Sequence, residues 1–151
     1  MTDHSSLDGK FRDRCHVMPV RVYYEDTDVA GIVYHANYLR FMERGRTNYL
    51  RLLAIDRRVI LTEEAQAPDA GFVVRSMQVE FIKPACMDDL LEVLTEPKEV
   101  KGASVRLHQR IVRGEELLID AQVRLAFVAG GRVRPIPKSV RAAMEAHHQR
   151  P

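Results

Sequence analysis

Residues Tyr23 to Arg46 read YYEDTDVAGIVYHANYLRFMERGR, and this stretch decides how the rest of the chain is read. Its first part, EDTDVAG, is a turn-forming cluster rich in aspartate that ends in Gly31. IVYHA follows, and a helix is expected to begin near Asn37. Across residues 37–54, Tyr38, Phe41, Met42, Gly45, Tyr49, Leu52 and Leu53 recur at spacings of three and four, which makes one broad apolar stripe. Arg40, Glu43, Arg44, Thr47 and Arg51 fall largely on the other side. Asn37 is suited to cap the start by accepting a bond from an orphan backbone N–H. Gly45 in a helix interior costs about 1 kcal/mol relative to Ala, so its presence predicts close approach of another backbone.

Working outward, Pro19 to Tyr24 (PVRVYY) has the β-branched and aromatic content of a strand. Residues 1–16 are polar and mixed in charge, and are expected to form a flexible lead-in to one domain spanning residues 17–151. After the helix a shorter one is expected over residues 57–66, with Pro68 as a break. From Gly71 the period changes from 3.6 to 2. Val73, Met77, Val79 and Phe81 alternate with Ser76, Gln78 and Glu80. Residues 89–100 form the next expected strand, then Val105, Leu107 and Ile111, then Ile119 to Phe127, with glycine-bearing turns between. Alternation buries one face of each strand and wets the other, as in an antiparallel sheet, and the short connections agree. One amphipathic helix packed on the apolar face of such a sheet is an α+β layout. The tail after RPIPKSV has a short helical stretch.

The chain has 151 residues, 46% hydrophobic and 29% charged, enough for one domain with a substantial core. A net charge of +2, from 23 basic and 21 acidic side chains, is too balanced to suggest a nucleic-acid partner. Cys15 and Cys86 stand 71 positions apart outside any C-x-x-C pair, so neither a disulfide framework nor a metal site is expected. No window approaches 18 consecutive apolar residues, so no membrane span is expected, and the chain reads as cytoplasmic.

The chemistry sits between strand and helix. A helix start presents unpaired N–H groups and a partial positive charge. An aspartate facing it across a gap for a carbonyl group makes a workable acyl-transfer arrangement. The N–H polarises the carbonyl oxygen while the carboxylate attacks or deprotonates an attacking water. Aspartate is also a common turn residue, because its side chain bonds nearby backbone N–H groups, and the residues alone leave Asp28 open between these roles. His35 is likewise either a structural histidine at a helix start or part of the site. A calcium loop starting at Asp26 fails, since its fifth position is Ala30 and its twelfth Asn37.

The run DTDVAGIVYHANYLRFMERGR resembles the signature of the hotdog-fold acyl-CoA thioesterases, in the 4-hydroxybenzoyl-CoA thioesterase group and its Tol-Pal-associated branch. The likeness continues more weakly through FVVRSMQVEFIKPA, DDLLEV, QRI and IPKS. It implies a hotdog fold, a five-stranded antiparallel sheet wrapped around one long central helix. It also implies a homodimer or homotetramer with each site between two subunits, an acyl-CoA substrate, and no cofactor. Asp28 matches the acidic residue that acts as nucleophile or general base. His35 falls where a backbone N–H polarises the thioester carbonyl. Tyr34 matches an aromatic that lines the substrate pocket, and Gly31 lets the chain turn tightly towards the substrate. Asp26 is expected to shape the loop, and Glu43 to pair with Arg46 or Arg40. Arg75, Lys83 and Arg134 are candidate contacts for the CoA phosphates. An acyl-carrier-protein substrate, or a non-catalytic acyl-binding scaffold in an envelope or lipid-synthesis complex, is the alternative; peripheral attachment at the inner membrane fits that setting.

Overall fold

The computed structural model describes residues 5–56 and 70–148. In chain order these form α1 (Ser5–Asp8), β1 (Lys10–Arg12), β2 (Cys15–Arg21), a 3-10 turn (Tyr24–Asp26), α2 (His35–Asp56), β3 (Gly71–Phe81), β4 (Leu90–Lys101), β5 (Ser104–Arg113), β6 (Glu116–Ala129), β7 (Arg132–Val133) and α3 (Lys138–His148). The sheet is antiparallel throughout, in the order β1-β2-β4-β5-β6-β3, with β7 also on β6. Five of its strands are long and two are short additions. The helix expected over residues 57–66 lies outside the described residues.

Helix α2 runs two residues further at each end than the expected 37–54. Its buried face carries Tyr38, Phe41, Met42, Tyr49 and Leu53, and these meet Leu91 and Val93 of β4, Leu107 and Ile111 of β5 and Val123 of β6 in one core. Gly45 allows this contact. A Cβ there would lie 2.8 Å from Val93 Cγ1 and 3.3 Å from both Gln109 Nε2 and Thr95 Oγ1. The sheet therefore reaches the helix with side chains, not with the backbone the sequence suggested.

Two strands depart from the expected pattern. β2 begins four residues before Pro19 and ends at Arg21, because Pro19 lies past the end of β1, where the strand has one free side that tolerates a missing N–H. In β3 the register slips between Val74 and Ser76. This bulge moves Val73 off the face of Met77 and Val79. Phe72 and Val74, opposite Phe127 and Leu125, take the helix-side face instead. Strict alternation from the sequence had missed the extra residue, Arg75.

Residues expected as a lead-in include α1 and β1, both packed near α2. Asp8 Oδ1 accepts from Arg51 Nη1 at 3.0 Å, and the Leu7 carbonyl from Asn48 Nδ2 at 3.2 Å. Under them His16 is fully buried. Its Nε2 donates to the Asp8 carbonyl at 2.7 Å, and its ring lies 5.7 Å from Phe11 and 6.1 Å from Tyr49. Among the described residues, His16 Nδ1 and the Tyr49 hydroxyl have no hydrogen-bond partner.

Burial disfavours the charged imidazolium and pushes the His16 pKa below 6.5, outweighing the opposing pull of Asp8. Between that folded value and 6.5 the unfolded chain holds a proton that the folded chain lacks, so stability falls as pH falls through this window. The urea midpoint should therefore decline below about pH 6.5. His16→Phe, which keeps a ring between Phe11 and Tyr49, should decline less. Equal slopes would place the acid sensitivity elsewhere.

Candidate active site

The loop from Tyr23 to Tyr34 is shaped by its two aspartates. Asp26 Oδ2 accepts from Tyr23 N–H at 2.8 Å, and the Asp26 carbonyl accepts from Tyr34 N–H at 2.9 Å and from Asn37 Nδ2 at 3.0 Å. This is the loop-shaping role expected of Asp26. Asp28 Oδ1 accepts from Ala30 N–H at 2.9 Å, while its backbone bonds Ile32 and Gly31. The turn uses one carboxylate oxygen. Oδ2 has no partner among the described residues, and Asp28 is exposed. Gly31 has a φ of +82°, a left-handed conformation that glycine adopts without strain.

Helix α2 begins at His35, two residues before the expected start. Asn37 does not cap it by accepting. It lies inside the first turn, and its side chain donates back to the Asp26 carbonyl. Tyr34 N–H goes to Asp26 and Asn37 N–H to Tyr34. Among the described residues this leaves the His35 and Ala36 N–H groups as open donors of the first turn.

A second loop, 84–89, locks against the first. Val33 N–H donates to the Ala85 carbonyl at 2.9 Å, Ile32 bridges Cys86, and Val22 exchanges backbone bonds with Asp88 and Asp89. Arg21 Nη1 donates to the Asp88 carbonyl at 2.8 Å. Asp89 organises this loop. Its Oδ2 accepts from Cys86 N–H at 2.8 Å and from Arg113 Nη1 at 2.7 Å. Those bonds, the backbone one foremost, hold its carboxyl below the usual carboxylate range.

Between the loops lies a cleft of about 510 Å³ lined by Tyr24, Thr27, Asp28, Val29, Gly31 and Met87. The structure thus brings Asp28 and Gly31 to one opening. Tyr34 and His35 form a neighbouring aromatic group: their rings are 4.6 Å apart, and His35 lies 6.3 Å from Phe81 at the end of β3. Glu43 does not make the expected ion pair. Arg46 is buried and donates to Gln109 Oε1 at 2.9 Å, feeling Glu43 only as a nearby charge. Met87, Asp89 and Arg113 were not singled out from the sequence. They lie far from Asp28 along the chain, and only the register of β4 and β5 carries them to it.

The thioesterase superfamily model matches residues 30–119, more than half of the chain. The chain belongs to the thioesterase superfamily. It is 47% identical over 132 residues to the acyl-CoA thioesterase YbgC of Haemophilus influenzae, covering 86% of this chain and 93% of that one. The crystal structure of a probable thioesterase from Bartonella henselae superposes with a TM-score of 0.69 at 37% identity, covering 82% of this chain and 98% of that one. A variant of 4-hydroxybenzoyl-CoA thioesterase with asparagine for aspartate, crystallised with 4-hydroxybenzoyl-CoA, superposes at 0.72 and 25% identity, covering 87% and 99%. The α+β architecture of this superfamily member is the hotdog fold expected above.

Tyr38 ties the thioesterase core to the cleft. Its hydroxyl accepts from Ala85 N–H at 2.9 Å where both residues are buried. Tyr38→Phe strands that N–H, at a cost of about 1–3 kcal/mol. Urea unfolding should report a loss of this size; a variant as stable as wild type would show that Ala85 finds another acceptor.

Proposed function

We propose that the protein hydrolyses acyl-CoA thioesters, with Asp28 as nucleophile or general base. The observation that carries this reading is the Asp28 carboxylate. One oxygen is fixed by the Ala30 N–H, the other is unpartnered, and the group stands at a cleft just ahead of a helix N-terminus. In the general-base route Asp28 takes a proton from water as the water oxygen bonds the carbonyl carbon. In the covalent route an Asp28 oxygen bonds that carbon, and water later cleaves the mixed anhydride. In both, the C–S bond breaks and its electron pair leaves on the CoA thiolate. The open N–H groups of His35 and Ala36 supply donors of the kind that stabilise the developing oxyanion. Tyr34 and Gly31 shape the acyl entrance.

Asp28→Asn should lower kcat for acyl-CoA hydrolysis by about 10²–10⁴-fold, the range for a positioned acid–base group, while the urea midpoint stays close to wild type. An Asn variant as active as wild type would remove Asp28 from the reaction.

The working unit is a homodimer paired along β3. Among the described residues β3 pairs only with β6, which leaves its other edge open. Val73 and Val74 on this strand are 46% exposed and Phe81 51%. An open strand edge of eleven residues that carries these exposed apolar side chains is an association site. An antiparallel strand edge can pair with its own copy about a two-fold axis. Light scattering should give twice the chain mass, and Val73→Lys with Val74→Lys should shift the protein to monomer. A monomeric wild type would overturn the dimer.

Work on the cytoplasmic side, beside Tol-Pal or lipid-synthesis machinery, is the setting that the resemblance of the DTD-to-YH run implies. An acyl-carrier-protein thioester is the second substrate class, favoured by a cationic C-terminal segment in which Arg132, Arg134, Lys138 and Arg141 fall together.

A further inference from the structure

The cleft beside Asp28 is built almost wholly by one loop. Tyr24, Thr27, Asp28, Val29 and Gly31 all lie between β2 and α2, and Met87 alone comes from the second loop. The gap between the loops is therefore set by how Met87 is held. Met87 occupies the second position of a β-turn, closed by the bond from Asp89 N–H to the Cys86 carbonyl at 3.1 Å. The third position, Asp88, has a φ of +72°, where glycine is the usual residue. Strain of this kind persists only where the surroundings over-determine it, and it gathers at functional sites. Asp88 N–H donates to the Val22 carbonyl at 2.9 Å, and Arg21 Nη1 to the Asp88 carbonyl at 2.8 Å. Asp89 Oδ2 accepts from Cys86 N–H at 2.8 Å and from Arg113 Nη1 at 2.7 Å. The same Nη1 reaches the Pro84 carbonyl at 3.3 Å. Arg113 thus ties together both ends of the loop that carries Met87, and Glu116 Oε1 holds its Nε from behind at 3.3 Å.

We propose that Met87 is a specificity-determining residue, the side chain that limits the acyl group opposite Asp28, and that Arg113 and Asp89 are its positioning pair. The inference rests on the reading of Asp28 as the residue that hydrolyses acyl-CoA. Two groups flank a thioester carbonyl, the acyl chain and the pantetheine arm. The arm carries amides, which are disfavoured against a surface that offers them no hydrogen-bond partner. The Met87 thioether is such a surface, and it suits hydrocarbon. An unbranched methionine packs against irregular apolar shapes. Met87 is 48% exposed, so its side chain is free to meet a ligand. Its backbone is not free. It is bonded on one side through Ala85, whose N–H goes to the Tyr38 hydroxyl at 2.9 Å, and on the other through Asp88 and Asp89. The side chain adapts while its Cα cannot retreat, which is what a size filter requires. Arg113 and Asp89 do not line the cleft. Their effect on the acyl group therefore passes through the turn they hold.

The test is the ratio of kcat/KM for benzoyl-CoA to kcat/KM for butanoyl-CoA, a ring against a slender chain on the same carrier. Met87→Ala should raise this ratio by about tenfold or more, the scale at which a pocket reads a carbon or two. Arg113→Ala should move the ratio the same way by a smaller factor, and Arg113→Lys, which keeps a cation on Asp89, should return it towards wild type. Asp89→Asn, which keeps an acceptor for Cys86 N–H and removes only the charge, is the milder second variant and should also raise the ratio. Added to Met87→Ala, Arg113→Ala should shift the ratio no further, because Arg113 acts through Met87. A Met87→Ala variant that slows both thioesters by one factor, leaving the ratio unmoved, overturns the specificity role. Independent, multiplying shifts in the double variant overturn the positioning role. Should wild type cleave neither thioester, the thioesterase reading fails and this inference goes with it.

Discussion

The contact between helix and sheet at Gly45, where there is no room for a Cβ, sets the position of what surrounds the site. A glycine in mid-helix weakens the helix by about 1 kcal/mol, yet any side chain there would collide with Val93. A polar clasp reinforces the contact. Gln109, fully buried on β5, donates to the Met42 carbonyl and to Thr95 Oγ1, each at 2.9 Å, and accepts from Arg46. It thereby joins α2, β4 and β5 through one side chain. It also gives a polar partner to a buried guanidinium, which would otherwise carry a heavy desolvation cost.

From that anchor the helix runs back ten residues to His35, about 15 Å at 1.5 Å per residue. Where its first turn emerges is therefore decided by packing far from the chemistry. The two loops then close on that emergence point. The first is bound to the helix through Asp26 and Asn37, the second through Tyr38 and Ala85. Arg113 braces the second loop from β5 through Asp89. With so much of the backbone already bonded, Asp28 is left with one oxygen committed and one unpartnered.

Much of this arrangement was legible in the sequence because it follows from periodicity. The stripe from Tyr38 to Leu53 marked the buried face of α2, and alternation marked β5 and β6. The aspartates in the strand-to-helix turn marked the candidate site, and the DTD-to-YH pattern pointed to the family. The failures come where a local rule is settled by distant contacts. The bulge at Arg75 depends on the pairing of β3 with β6, so alternation alone placed Val73 on the wrong face. Asn37 looks like a cap until the Asp26 carbonyl takes its side chain. Glu43 lost Arg46 to Gln109, sixty-three positions away, and no spacing rule connects those two residues.

The uneven placement of charge bears on how such a site handles its substrate. The two loops around Asp28 carry Glu25, Asp26, Asp88 and Asp89, with Arg21 on the Asp88 carbonyl and Arg113 on the Asp89 carboxylate. Phosphates brought towards Asp28 alone would meet Glu25, Asp26 and the aspartates of the second loop, all repulsive within a Debye length of about 8–10 Å. A hydrolytic carboxylate and a polyanionic leaving group can share one site only where cations offset that repulsion.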